Sequence, residues 1–257
     1  MNYLSNNEIR QKWFDFFESK GHLKMPSASL VPQDDDSLLF NNAGVTPLKK
    51  YLDGTLIPES RRIVNIQKCI RTNDIENVGV TKRHLTFFEM MGNFSIGDYF
   101  KNEAIEFAYE FLIDYMKIPK EKLYMTVYTH DDETKNKWIS LGIDESHIVL
   151  LDENYWEIGE GPSGPDTEIF FDRGEEYGGK EAVDAFFNDK EQERFIEIWN
   201  NVFSQYNAKE GVKREDYEEL PSKNIDTGAG LERWCLIFQN VNSIFDTDLF
   251  QPIIKEI

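Results

Sequence analysis

The stretch "NIDTGAGLERW", Asn224–Trp234, decides how this chain reads. A polar run carrying one acid, Asp226, passes through Gly228 and Gly230 and becomes at once the apolar "LERWCLIFQNV", which reads as a buried helix. Glycine weakens any regular element, so the missing side chains must serve something. Two uses fit. One is close packing of a helix on a sheet; the other is close approach of a ligand to backbone N–H groups at a helix start. The rest of the chain has to choose between them.

Upstream of that junction, "RFIEIWNNVFSQY" (Arg194–Tyr206) alternates as a long strand and "TEIFFD" (Thr167–Asp172) as a short one. "LYMTVY" (Leu123–Tyr128) and "HIVLL" (His147–Leu151) read as strands flanking a helix in "DDETKNKWISLG". "NEAIEFAYEFLIDYM" (Asn102–Met116) has the spacing of an amphipathic helix, and "RRIVNIQKCIR" (Arg61–Arg71) that of a strand. "SLLFNNAG" (Ser37–Gly44) predicts a short strand and turn, and Pro47 suits the first position of a short helix ending near Gly54. Near the N-terminus, Ser5 and Glu8 have capping-box spacing. Ile9, Trp13, Phe16 and Phe17 then share one helical face, and Gly21 stops the helix. Several consecutive strands lack a helix between them. That predicts an α+β fold, a largely antiparallel sheet flanked by helices, rather than a doubly wound one.

A hydrophobic content of 40% over 257 residues is enough for a substantial core, and composition marks no segment as disordered. The formal net charge of −19 argues against bulk attraction to nucleic acid or anionic membranes, though not against a local basic site. Acidic runs such as "QDDD" (Gln33–Asp36) and "DDE" (Asp131–Glu133) read as solvated surface. Two distant cysteines, Cys69 and Cys235, make neither a metal knuckle nor a disulfide framework and point to a reducing compartment. The first residues lack a signal-peptide pattern, and no apolar stretch reaches the roughly 18 residues of a membrane span, so the expected location is cytoplasmic.

No GxGxxG follows a strand and no GxxxxGK[ST] occurs, and the prolines of "GPSGPD" (Gly161–Asp166) make it a poor phosphate loop. The chemistry candidates are therefore arginines and acids at strand ends. Arg71 closes one strand before the polar loop "TNDIENVGVTKR", and Arg233 sits just past the glycine pair. A guanidinium can grip a phosphate through two parallel hydrogen bonds or lie flat on a purine. Phe87 and Phe88 can supply the opposite face of such a stack, or be plain core.

Six stretches together carry a family resemblance: "EIRQKWFDFFESKGH", "SLVPQDDDSLLFNNAG", "QKCIRTNDIENVGVTKRHLTFFEMMGNFSIGDYF", "NYWEIGEGPSGPDTEIFFDRGEEYGG", "RFIEIWNNVFSQYN" and "NIDTGAGLER". In this order they resemble the class II aminoacyl-tRNA synthetases, and among them the N-terminal catalytic region of the bacterial alanyl type. The resemblance implies ATP-dependent activation of L-alanine to alanyl-adenylate, the first step of alanine–tRNA ligation. It makes "GAGLER" a strand-to-helix signature beside ATP, with glycines that keep the backbone close to the nucleotide.

By the same resemblance Arg233 covers the adenine and reaches the outer phosphates. Arg71 holds the α-phosphate and the amino-acid carboxylate, and Phe87 lies under the adenine. Asp226 takes the substrate ammonium, and Trp156 and Val202 line the side-chain pocket. Glu197 is the weaker carry-over, facing ATP or Mg2+. These implied partners are L-alanine, ATP with Mg2+ and alanine tRNA, the tRNA held mostly through domains beyond these residues.

Two departures stand out. The glycine-rich insertion with a lysine that many relatives carry after the signature arginine is absent from "RTNDIENVG", which leaves Lys68 or Lys82 as substitutes. Ser163 and Asp166 stand where relatives often have cysteines, which disfavours a thiolate zinc site, and zinc is expected only beyond this chain. The resemblance divides the chain into a catalytic unit, residues 1–240, and the start of a helical tRNA-recognition region, 241–257, in what reads as a piece of a longer protein. Two other readings accompany it, an adenylating paralogue serving another acceptor and a non-catalytic binding paralogue. Intact Arg71, Asp226 and Arg233 disfavour the second of these.

Overall fold

Local chemistry sets the first helix. The Ser5 hydroxyl accepts the Glu8 N–H and the Glu8 carboxylate accepts the Ser5 N–H at 2.8 Å, closing the capping box in front of α1, Asn6–Ser19. Gly21, at φ 82°, turns the chain away from α1. The computed structural model describes residues 1–33, 38–73, 75–157, 160–186 and 193–257.

The strands are β1 (Leu23–Lys24), β2 (Arg62–Ile70), β3 (Phe87–Ile96), β4 (Leu123–Tyr128), β5 (Ile148–Leu151), β6 (Tyr155–Trp156), β7 (Gly161–Asp172), β8 (Phe195–Ala208) and β9 (Glu218–Gly230). The helices after α1 are α2 (Lys49–Leu52), α3 (Lys101–Tyr109), α4 (Asp132–Ser140), α5 (Glu181–Phe186), α6 (Leu231–Gln239) and α7 (Gln251–Ile254). One sheet runs β1-β2-β3-β9-β8-β7-β4-β5, with β6 paired to β7. Only the outer pairs β1–β2 and β4–β5 are parallel, so the expected antiparallel α+β layout is the observed one.

Four expectations need correction, the first being that Asp131 of "DDE" is not solvated surface but is buried, bonded to the equally buried Lys101 at 2.7 Å. The described part of "SLLFNNAG", residues 38–44, forms no strand; Ser37, like Asp34–Asp36 of the acidic run, lies outside the described residues. Instead Asn41 donates its side-chain amide to Ser29 O, and this segment folds as a loop over the sheet. "GPSGPD" is no loop but the first half of β7, so "TEIFFD" is only the end of a much longer strand. A Cβ on Gly164 would lie 1.9 Å from Phe203 O, so β7 approaches β8 too closely there for any side chain. The helix read in Asn102–Met116 keeps α geometry only to Tyr109 and then widens into a π turn, Glu110–Tyr115.

The two sheet faces are packed differently. On one, α1, α3 with its π turn, α4 and α6 bury a continuous core. Trp13 sits at its centre, with ring centroids 4.9 Å from Trp199 of β8 and 5.1 Å from Phe111. Each such aromatic withdrawn from water contributes about 1.5–3 kcal/mol. On the other face the apolar clusters of the described residues lie at its two ends. Leu48, in the 3-10 turn Thr46–Leu48, packs on Ile63, Phe94 and Ile96. Phe186 of α5 packs on Tyr124, Phe170 and Phe195. Between these two lids lies a strip of β3, β9 and β8 that carries the residues of interest. Beyond α6, Ile244 joins the main core, with Val241, Phe245 and Leu249 packed against it.

Candidate active site

Register builds the strip. Asp166 of β7 pairs with Val202 of β8, which pairs with Asp226 of β9, so three side chains share one row on one face. The same count on β3 brings Phe94 opposite Asp226. In the next row Asn200 pairs with Gly228. Asp226 is 9% exposed, and none of the described residues hydrogen-bonds its carboxylate. Burial pushes that carboxyl up to about 7, while the charge of Arg71 pulls the other way.

Arg71 follows β2. Its N–H donates to Thr86 O and its Nε to Asn42 O at 2.7 Å, and its guanidinium lies 5.4 Å from the centre of the Phe88 ring. Cys69, Phe88 and Met90 belong to this face, because Phe88 pairs with Cys69. Phe87 belongs to the other face, with Glu89, which Arg10 of α1 grips, and Met91 of the helix-side core. It is 44% exposed there. Two adjacent aromatics look alike in sequence, and the pleat separates them.

Arg233, in the first turn of α6, donates to Glu197 O at 3.1 Å and to its Oε2 at 2.8 Å. The pair is half-buried. A β-bulge at Ile198 turns Glu197 onto the site face. The helix carrying Arg233 is itself tied to β3 by Glu232, whose Oε1 accepts the Glu89 N–H at 2.9 Å; burial pushes that carboxyl up to about 7. Sequence reading passed over Glu232.

The glycine pair now has a physical account. Neither glycine has a positive φ. A Cβ on Gly228 would meet Met90 Sδ at 2.8 Å, on the neighbouring strand, and one on Gly230 would meet only the Arg233 stem, at 3.7 Å. Neither abuts the body of a helix, so close helix-on-sheet packing is not what they serve. Gly228 makes room for the Met90 thioether, and Gly230 leaves the floor beside the Arg233 stem open.

Trp156 is half-buried on β6, opposite Gly164. Val202 is buried between its two acids. Asn200 was also missed by sequence reading; its Oδ1 is buried and has no hydrogen-bond partner. Its signal was available, since a strand read through "WNNVF" places Asn200 on the face of Val202. Behind the floor, the Nδ1 of buried His22 lies 3.0 Å from Phe17 O, and Tyr99 OH joins His22 Nε2 at 2.8 Å. Asn93 donates to Tyr99 OH, and Thr227, next to Asp226, donates to Asn93 Oδ1 at 2.6 Å. Burial holds His22 neutral, down at about 4. Among the described residues no cluster of three or more His, Cys, Asp or Glu is placed to hold a metal ion, and no helix is long and apolar enough to cross a membrane.

A strip on an antiparallel sheet, with arginines at two of its edges and a buried acid at its centre, is suited to two anions and one cation. The comparisons place it in a class. The family model for tRNA synthetases class II (A) matches residues 8–257, and the chain belongs to that family. An alanine–tRNA ligase of Acholeplasma laidlawii is 60% identical over 256 residues, covering 99% of this chain and 30% of that protein. One from Streptococcus thermophilus is 56% identical, covering 100% of this chain and 30% of its own length. The chain thus spans about 30% of the length of the curated relatives it matches. A crystal structure of pyrrolysyl-tRNA synthetase from Desulfitobacterium hafniense superposes with a TM-score of 0.51 at 10% identity, covering 96% of this chain and 74% of that one, which shows a shared fold.

Proposed function

We propose that this chain activates L-alanine with ATP, forming alanyl-adenylate and pyrophosphate, the first step of joining alanine to its tRNA. The observation that carries this reading is Asp226, a buried carboxylate whose described surroundings leave it without a hydrogen bond, in the field of Arg71 and paired across the strands with Val202. An ammonium group completes such a site.

In the reaction a carboxylate oxygen of alanine attacks the α-phosphorus of ATP, and the bond to the pyrophosphate leaving group breaks. No proton has to move, so catalysis rests on charge and position. Arg71 holds the carboxylate and the α-phosphate together. Arg233 takes the adenine face and outer phosphates, exchanging part of its bond to Glu197 for the nucleotide. Phe88, on the site face under Arg71, is a better placed adenine support than Phe87. Magnesium, when bound, would neutralise phosphate charge. Glu197 is the carboxylate positioned to share it, with phosphate oxygens supplying much of the rest of the shell. Trp156 and Val202 limit the side chain, while a single methyl distinguishes alanine from glycine by only ~1–3 kcal/mol.

The residues proposed for activation all lie within 1–240, and 241–257 is read as leading into a helical tRNA-recognition region. With a net charge of −19 the chain has little with which to hold a polyanion, so alanine tRNA binding is assigned mostly to other parts of the relatives' length. The test is amino-acid-dependent ATP–pyrophosphate exchange with alanine, glycine, serine and leucine. The reading expects exchange with alanine, leakage with serine and glycine, and none with leucine. Exchange driven by leucine and not by alanine would overturn it.

A further inference from the structure

The wall of the proposed amino-acid pocket stands on a thin support. Strand β6, which carries Trp156, has two residues, and its partners on β7 are Pro165 and Gly164. Proline has no N–H to give to that ladder, and glycine has no side chain to pack against the tryptophan. Buried Tyr155 packs on Tyr128, 5.2 Å between ring centroids, and the polar fastening of β6 lies one pair further along. The Asp166 N–H donates to Asn154 O at 2.9 Å, and the Asn154 side-chain Nδ2 donates to Asp166 Oδ1 at 2.6 Å. Both residues are almost fully buried, at 1% and 4% exposure. A hydrogen bond between two side chains this far from water counts for more than an exposed one, and removing Asp166 strands the Asn154 amide without its acceptor. The opposite flank of β6 is held by the Arg214–Glu157 pair, which is partly exposed and correspondingly weak.

We propose that Asp166 is a positioning residue for amino-acid selection: its grip on Asn154 sets where β6 runs and so where Trp156 stands relative to Val202 and Asp226. The register supports this. Asp166 pairs directly with Val202 on one side, and on the other its contact with Asn154 adjoins the pairs Tyr155–Pro165 and Trp156–Gly164, where β7 bulges between Ser163 and Asp166. Asp166 thus joins the pocket floor to the pocket wall through one side chain. The role in selection rests on the alanine-activation reading above; the role in placing Trp156 does not.

The experiment uses that independence. Of the five tryptophans, Trp13, Trp138, Trp199 and Trp234 are fully buried, so acrylamide quenching of the intrinsic fluorescence reports mainly on Trp156. Asp166→Ala is expected to raise the quenchable fraction. It is also expected to raise the alanine KM in pyrophosphate exchange about 10-fold, to leave the ATP KM within about 2-fold, and to shift relative use toward serine and 2-aminobutyrate. Asp166→Asn keeps an acceptor for Asn154 Nδ2 and is expected to restore wild-type quenching and selectivity. Asn154→Ala cuts the same bond from the other side and should reproduce Asp166→Ala, which keeps the test valid if one variant fails to fold. Wild-type quenching and alanine KM in folded Asp166→Ala or Asn154→Ala would overturn the proposal. So would an Asp166→Asn protein as impaired as Asp166→Ala, since charge rather than the grip would then be the cause. A wild-type chain that gives no alanine-dependent exchange, yet shows the quenching pattern, would refute the functional reading and leave the positioning of Trp156 standing.

Discussion

The two faces of the same three strands follow opposite rules. On β8, Trp199 and Phe203 point into the helix-covered core, while Asn200 and Val202 point to the strip. On β9, Ile225, Thr227 and Ala229 face the core, and Asp226, Gly228 and Gly230 face the strip. The covered face completes much of its chemistry within itself, down to the His22–Tyr99–Asn93–Thr227 chain, although Asn201 leaves both amide atoms, and Trp13 and Trp199 their indole N–H groups, unpartnered. The strip leaves a carboxylate and an amide oxygen without described partners, and only the Arg233 stem beside Gly230. One face is built for stability. The other carries a cost in stability that a ligand can relieve.

Substitutions on the two faces should therefore carry opposite signatures. The largest effect is expected on the covered face. Trp13→Ala empties the centre of the aromatic core and should cost about 3–5 kcal/mol of stability, read by chemical denaturation. At temperatures where the variant stays folded, substrate KM values should change little. Altered alanine KM in folded Trp13→Ala would blur the distinction between the faces.

On the strip, Arg233→Ala should leave the melting temperature nearly unchanged and slow alanine-dependent exchange ~30- to 1000-fold, as for loss of one charged contact worth ~2–4 kcal/mol in a dry site. Near-normal exchange in the folded variant would remove Arg233 from the nucleotide site.

The most telling strip variant is Asp226→Asn, because the two readouts should move in opposite directions. Burial raises the Asp226 pKa in the folded protein from 3.8 to about 7. The folded state therefore holds the proton more tightly than the unfolded one. Stability from this group is fully present below pH 3.8 and is lost as pH rises through about 7. Asp226→Asn should match the wild type in stability near pH 4 and exceed it by about 2–4 kcal/mol at pH 8. It should raise the alanine KM and leave the ATP KM alone. A variant less stable than wild type at pH 8 would show that the native carboxylate is already satisfied.

What sequence could reveal follows from the range over which each feature is encoded. The Ser5–Glu8 box and the α1 stripe are local chemistry and were legible. So was the alternation of β8, and the junction at Gly230, where strand gives way to helix. "GPSGPD" was misjudged because proline and glycine normally interrupt strands, whereas here β7 is shaped by its close approach to Phe203. Phe87 could not be told from Phe88 without the register that pairs Phe88 with Cys69. The row Asp166–Val202–Asp226 joins residues far apart in sequence and exists only once three strands are aligned. The roles of Arg71, Asp226 and Arg233 came from resemblance; the structure adds that they border one strip.

The central claim is that Asp226 awaits an ammonium group. The direct measurement is calorimetric titration of alanine, with a non-hydrolysable ATP analogue present, in buffers of different ionisation enthalpy. At pH 7 about half of the Asp226 carboxyl groups hold a proton, given the raised value of about 7. Pairing with an ammonium requires the ionised form. The account predicts release of roughly 0.5 proton per alanine bound at pH 7, falling toward zero by pH 9 and absent in Asp226→Asn. Alanine binding with no proton released at pH 7, or with the same release in Asp226→Asn, would contradict it.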